Sequence, residues 1–147
     1  AIDSAIQRQA SALQAKGLGV VIAIDSNNLC LQADPQRLAQ ILDNLISNCI
    51  RYCEAEATIR FSAKLTDDTI EWCLEDSGPG FAGDYERLFE RLYRADSSRQ
   101  RISGGAGLGL AIVRSLVAAH EGQVHADSST LGGLNVVFSW PAAKVSL

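Results

Sequence analysis

The sequence has no methionine, only three prolines and two histidines, and aromatic residues make up 6% of its 147 positions. It opens on Ala1 rather than a methionine, so a fragment or a processed chain is expected. No apolar run approaches the ~20 residues that a membrane-spanning helix needs, and the first residues carry no signal-peptide pattern. Positive charge is not in excess: 13 Lys and Arg against 17 Asp and Glu leave a net charge of -4. That balance argues against general nucleic-acid binding while leaving room for a local basic patch. The four cysteines, at 30, 49, 53 and 73, form neither a CxxC pair nor a Cys/His cluster with zinc spacing. Cys49 and Cys53, four apart on an expected helix, are the most ligand-like arrangement. Free buried thiols in a reducing cytosol are the preferred reading, because buried cysteine behaves as a small hydrophobe.

What is present describes one ordinary domain. Hydrophobic residues reach 47% and charged residues 20%, enough for a real core and too apolar for disorder. Ile2, Ile6, Ala10 and Leu13 recur at helical spacing, so a helix is expected over 2–16, ended by Lys16-Gly17. Val20 to Ile24 reads as a strand, Asp25 to Asn28 as a turn, and Leu29 to Ala33 as a short return strand. Asp34-Pro35 is an N-cap followed by proline at the first helical position, opening a helix to about Tyr52. Residues 57–65 and 69–75 suit a hairpin, 76–83 a glycine-punctuated loop, 108–120 a helix, and 123–128 and 134–140 two strands. The layout is mixed α+β, a sheet covered by helices; it does not alternate strictly enough for a doubly wound parallel fold.

Three segments carry the chemistry. On the helix after Pro35, Leu38, Leu42, Leu45 and Cys49 form one stripe, while Asn44, Asn48 and Arg51, with Tyr52 at the edge, form another side. An amide oxygen suits Mg²⁺ and an arginine suits phosphate; a solvated polar face would look the same. Asp76-Ser77-Gly78-Pro79-Gly80 puts a carboxylate at a strand end beside glycines that let backbone approach a ligand; an ordinary Gly-Pro turn is the plain alternative. Gly104 to Leu110 is a glycine-rich run leading into a helix, whose free N–H groups and dipole favour phosphate. It is neither a Walker A loop nor a dinucleotide fingerprint. Between the glycine segments lie Arg87, Arg91, Arg94, Arg99 and Arg101, a local cationic patch able to clamp phosphates. His120 closes a helix and His125 lies in a strand; neither is expected to accept a phosphoryl group.

These residues together resemble a known family. Leu42-Asp43-Asn44-Leu45-Ile46-Ser47-Asn48-Cys49-Ile50-Arg51-Tyr52 looks like the N box of sensor histidine kinases, and Asp76 to Gly80 like their G1 box. Leu88-Phe89-Glu90-Arg91-Leu92-Tyr93-Arg94 resembles the F box, and Gly105-Ala106-Gly107-Leu108-Gly109-Leu110 the G2 box. All four stand in the family order, and Gly132-Gly133 before the last strand also fits. The flavour is that of envelope-stress or magnesium-sensing two-component kinases of the GHKL superfamily. The resemblance implies a Bergerat fold: a two-layer α/β sandwich, its sheet mixed and mostly antiparallel, helices on one face, and a long ATP lid over about 84–107.

The resemblance also implies ATP and Mg²⁺ as cofactors and a role for each position. Asn48 would hold Mg²⁺ with Asn44 beside it, and Arg51 and Tyr52 would meet the phosphates and the ribose side. Asp76 would read the adenine amino group, with Gly78 and Gly80 shaping the base site. Tyr93 would line it, Arg94 would reach the terminal phosphate and act with Asn48 in catalysis, and Arg101 belongs to the same nucleotide-binding set. Gly105, Gly107, Leu108, Gly109 and Leu110 would wrap the phosphates. The implied reaction moves a phosphoryl group from ATP to a histidine on a separate dimerisation domain of the same parent, for onward signalling to a response regulator. The parent would be an inner-membrane homodimer; this part would be cytoplasmic and monomeric, touching neither membrane nor nucleic acid. Arg51 stands where lysine is common and Leu92 where phenylalanine is common. No phosphoacceptor box of the His-Glu-x-x-x-Pro type is present, so the chain should not autophosphorylate by itself. The rival readings are a serine kinase or anti-sigma switch of the same fold, and a degenerate interaction module.

Overall fold

In the computed structural model, residues 2–24, 34–81, 83–90 and 109–141 are described. Two short helices come first, α1 (Ile2–Arg8) and α2 (Ala10–Lys16). The sequence pattern suggested a single helix. The backbone leaves helical geometry at Gln9 (φ -115°, ψ 15°), where Arg8 and Gln9 both turn to α3. Arg8 grips the Asp43 carboxylate through Nε and Nη2, and Gln9 Nε2 donates to the Asp43 carbonyl at 3.0 Å. Gly17 ends α2 in the left-handed region (φ 72°), with Gly17 N–H on Gln14 O and Leu18 N–H on Leu13 O. This is the Schellman closure that glycine permits, and Leu13 and Leu18 are both buried beside it.

The strand β1 (Gly19–Ile24) follows, and then α3 (Pro35–Tyr52). Asp34 caps α3 as its sequence requires, accepting from Gln36 N–H at 2.9 Å. Leu38, Ile41, Leu42, Leu45, Ile46 and Cys49 form its buried stripe. The hairpin β2 (Thr58–Thr66) and β3 (Thr69–Asp76) comes next, then a five-residue 3-10 helix, Tyr85–Phe89. Helix α4 (Gly109–Ala119) and the strands β4 (Gln123–Ser128) and β5 (Leu134–Pro141) complete the described chain. The expected return strand at 29–33 lies outside the described residues, as does most of the expected lid.

The five strands form one sheet in the order β1-β2-β3-β5-β4. Only β1 and β2 run parallel; the remaining pairs are antiparallel, so the sheet is mixed and mostly antiparallel as expected. Side chains alternate between its faces. Ile59, Phe61, Ile70, Trp72, Leu74, Val136, Phe138 and Trp140 are buried, all on the face covered by α3 and α4. Trp72 and Phe138, paired across β3 and β5, stack with centroids 5.9 Å apart. The opposite face carries Arg60, Lys64, Glu71 and Glu75, so helices lie on one side and charge on the other. His120, after α4, is structural. Its Nδ1 lies 2.9 Å from Leu116 O, Asp34 N–H donates to its Nε2, and its ring stacks on Trp140.

Candidate functional site

The helix-covered face ends in a cavity of about 190 Å³. A cavity of ~150 Å³ takes up a benzene ring, so this one suits a single flat heterocycle, with larger groups passing out through its mouth. Five segments far apart in sequence meet there. Helix α3 supplies Asn48, Cys49, Arg51 and Tyr52, with Cys53 as its C-cap. The end of β3 and the following loop supply Asp76, Pro79, Gly80 and Phe81. Leu88 comes from the 3-10 helix, Gly109 and Leu110 open α4, and Leu134 begins β5.

Asp76 forms part of the cavity wall and is 8% exposed. Its Oδ1 accepts from Gly78 N–H at 3.0 Å and Leu134 N–H at 3.1 Å, and its carbonyl accepts from Gly133 N–H at 3.1 Å. No backbone N–H among the described residues reaches Oδ2. The carboxylate is therefore oriented through one oxygen while the other keeps accepting capacity beside the cavity. Burial raises its pKa above the usual aspartate value, against the lowering effect of Leu134, Gly78 and Cys53. Gly78 contributes backbone geometry (φ 137°) together with its N–H. The Gly132-Gly133 pair makes the close approach possible. A Cβ on Gly133 would stand 1.9 Å from Asp76 Oδ1 and 2.6 Å from Gly78 N, so no other residue fits without moving the loop.

The sequence-nominated residues sort clearly by position. Asn48, Arg51, Tyr52, Asp76, Gly80, Gly109 and Leu110 line one cavity. Asn44 lies one turn before Asn48 and off the cavity wall; its Nδ2 donates to Gln40 O at 2.8 Å. Asn48 makes no hydrogen bond to the described residues, so its amide is available at the cavity edge. Arg51 lies over the Tyr52 ring at 5.9 Å. The described part of α4 begins at Gly109 and Leu110, and both residues line the cavity. Tyr93, Arg94, Arg101, Gly105, Gly107 and Leu108 lie outside the described residues. The first residues of the expected lid, Tyr85–Phe89, are instead docked on α4. Phe89 is buried, the Arg114 guanidinium sits 5.8 Å above its ring, and Asp84 caps the turn through Glu86 N–H. A five-residue 3-10 turn is too short to show helical periodicity, so the sequence pattern assigns no helix to this segment.

Sequence reasoning missed part of the wall. Phe81, Leu88 and Leu134 form its apolar part, and Cys49 and Cys53 stand beside Asp76. The two thiols were visible as an i, i+4 pair, but their proximity to Asp76 depends on how β3 ends against α3. Chemically, the cavity brings together a carboxylate acceptor, apolar side chains, the Asn48 amide, the Arg51 guanidinium and the first described residues of α4. A flat base bearing an amino group, joined to an anionic tail, matches that set of groups.

The family model for histidine kinase-, DNA gyrase B- and HSP90-like ATPases matches residues 33–144. The chain is similar to the signal transduction histidine-protein kinase BaeS of Escherichia coli (strain K12), 39% identical over 119 residues. That match takes in 80% of this chain and 26% of BaeS. Sensor protein RstB of the same strain is 44% identical over 109 residues, 74% of this chain and 25% of RstB. The chain thus spans about a quarter of the length of these relatives. Its fold resembles that of full-length ShkA solved in complex with AMPPNP, with a TM-score of 0.83 and 30% identity over 99% of this chain and 30% of ShkA.

Proposed function

The chain belongs to the family of histidine kinase-, DNA gyrase B- and HSP90-like ATPases, and we propose that it binds MgATP and passes the terminal phosphoryl group to a histidine on a separate dimerisation domain. The observation that carries this reading is Asp76. It is a buried carboxylate that accepts backbone donors on one oxygen, with accepting capacity left in the wall of a cavity sized for one base. The adenine amino group would donate to it, with Phe81, Leu88, Leu110 and Leu134 enclosing the ring. Arg51, Tyr52 and the start of α4 at Gly109 and Leu110 would meet the ribose and phosphates. By the resemblance of their motifs, Tyr93, Arg94, Arg101, Gly105, Gly107 and Leu108 would close over the nucleotide, with Arg94 on the terminal phosphate and Asn44 supporting Asn48.

The residues present fit a magnesium ion. Asn48 offers a neutral amide oxygen without a hydrogen bond to the described residues, and Mg²⁺ takes few protein ligands and keeps waters and phosphate oxygens. Bound there, the ion would neutralise phosphate charge. The chain's own contribution is positioning and charge, which dominate phosphoryl transfer. The γ-phosphorus–oxygen bond to ADP breaks and a phosphorus–nitrogen bond to the acceptor imidazole forms. The imidazole proton leaves to a base outside this chain. A response regulator would then receive the phosphoryl group, and the parent would be a homodimer of the bacterial inner membrane. Among the described residues no helix is long and apolar enough to cross a membrane.

Calorimetric titration with ATP and ADP, with and without Mg²⁺, tests the reading. Binding that tightens with Mg²⁺ is expected; no heat at millimolar nucleotide overturns it. Asn48→Ala should abolish Mg²⁺-dependent transfer to an added dimerisation domain, read as phosphohistidine formed. Undiminished transfer removes Asn48 from the metal role.

A further inference from the structure

Cys49, Cys53 and Asp76 are all buried, and their Sγ, Sγ and carboxylate oxygen atoms lie within 4.8 Å of one another. The cluster is preorganised from three directions. Cys53 N–H donates to Cys49 O at 2.9 Å, which fixes the spacing of the two thiols at the end of α3. The Cys53 thiol lies within 4.8 Å of both the Cys49 thiol and the Asp76 carboxylate. Gly78 N–H and Leu134 N–H hold the Asp76 carboxylate from behind, in the way that outer partners orient metal ligands. All three residues also line the cavity, so an ion has an entry path and a fourth coordination position open to water.

We propose that Cys49, Cys53 and Asp76 form a binding site for a thiophilic divalent cation of the zinc class, and that occupation of this site excludes the nucleobase. Two thiolates and a carboxylate select a soft or borderline ion over Mg²⁺ or Ca²⁺. Bond lengths of about 2.3 Å to sulfur and 2.0–2.2 Å to oxygen place tetrahedral ligand atoms about 3.5–3.8 Å apart. The observed spread closes to that with side-chain rotations of about an ångström. The exclusion follows from Asp76, which cannot coordinate an ion on the cavity side and accept from an adenine amino group at once. This second half rests on the nucleotide reading above; the ion site itself does not.

The test uses the whole reduced chain with Co²⁺ as the spectroscopic probe, followed by Zn²⁺ competition. One equivalent of Co²⁺ should produce thiolate-to-cobalt charge-transfer absorption. That band should vanish in Cys49→Ala/Cys53→Ala and weaken in Asp76→Asn, and Zn²⁺ should displace it. Cys53→Ser, which keeps one thiol, should retain about half the intensity and guards against a misfolded double variant; circular dichroism checks both. Absence of the band, or its full persistence in the folded double variant, overturns the site. For the exclusion, ADP affinity is measured without Mg²⁺ at free Zn²⁺ held by a metal buffer. It should fall at least about tenfold in the native chain, while in the double variant the ratio with and without Zn²⁺ stays near one. Equal ratios in the two proteins overturn the exclusion. If metal-free protein binds no ADP, the nucleotide reading fails and the exclusion with it, while the cobalt band alone decides the ion site.

Discussion

Glu75 and Asp76 are adjacent on β3 and almost equally buried, at 7% and 8% exposure, yet they face opposite sides of the sheet and titrate in opposite directions. Glu75 faces the charged side. Arg60 grips Oε2 through two nitrogens, and Ser129 Oγ with the Thr130 N–H and hydroxyl supplies Oε1. Burial pushes its pKa up, but Arg60 and Thr130 more than offset that and hold it below the usual glutamate range. Asp76 faces the cavity, receives backbone donors on one oxygen, and has its pKa raised by burial. The same loop serves both: Ser129 and Thr130 tie Glu75 while Gly133 and Leu134 tie Asp76. Burial alone therefore says little about a carboxylate's role. A saturated one holds structure together; one left with spare accepting capacity at a cavity is available to a ligand.

The strongest way to break this contrast is to move the loop that serves both carboxylates. Gly133→Ala places a Cβ inside contact distance of Asp76 Oδ1, Asp76 O and Gly78 N. The loop must shift, and overpacking of this kind destabilises by about 1–3 kcal/mol. Calorimetry should show ADP affinity lost beyond detection, and a thermal melt should show a lowered Tm. Native affinity in this variant would mean that the loop does not set the Asp76 geometry.

Asp76→Asn acts on the ligand side alone. The amide oxygen still accepts from Gly78 and Leu134, but the other position becomes a donor facing the donor of the base. A buried polar group left unpaired costs about 1–3 kcal/mol, more when charge is involved, so ADP affinity should fall on the order of 100-fold. Tm should hold, because the fold disfavours the charged form of this residue. Unchanged affinity in the folded variant would remove Asp76 from the site.

The two carboxylates also mark how far the sequence could be read. Asp34-Pro35, the apolar stripe of α3, the hairpin at Thr66 to Thr69 and the glycine run before α4 are local signals, and each element formed where its pattern placed it. Asp76 was legible because a carboxylate at a strand end beside Gly78 and Gly80 is a local motif. Glu75 was not, since nothing nearby in sequence announces Arg60, fifteen residues away, or Thr130, fifty-five away. Gly133 was visible as one of a glycine pair, but its need to be glycine arises only when β5 lies against β3. The break at Gln9 was invisible for the same reason, its cause being Asp43 on another helix. What escaped was long-range pairing.

Glu75→Gln should have a moderate effect confined to stability. It removes a charge-assisted pair with Arg60, whose side chain is 34% exposed and screened accordingly. A loss of about 1 kcal/mol by urea denaturation is expected, with ADP affinity changed less than about twofold. A large loss of affinity would show that the outer face of the sheet controls the site, erasing the contrast between the two residues.

The smallest effects are proton linkages, and they run in opposite directions. Glu75 has a folded pKa below its unfolded value of about 4.3, so its stabilisation is fully present at neutral pH. That contribution is lost as pH falls through the lower folded value. The stability difference between the native chain and Glu75→Gln should therefore shrink in acid and vanish below that value. Asp76 has a folded pKa above its unfolded value of about 3.9. Its ionisation works against folding above the folded value, and this destabilisation is relieved as pH falls. The same proton removes the acceptor that the base needs. ADP affinity in the native chain should then weaken by a few-fold on acidification before ordinary aspartates titrate, relative to Asp76→Asn, which has no proton to gain. Using Asp76→Asn as the reference cancels protonation of the nucleotide itself. If the two pH profiles of affinity run parallel, the adenine amino group does not sit on the Asp76 carboxylate, and the two buried acids differ only in which neighbours hold them.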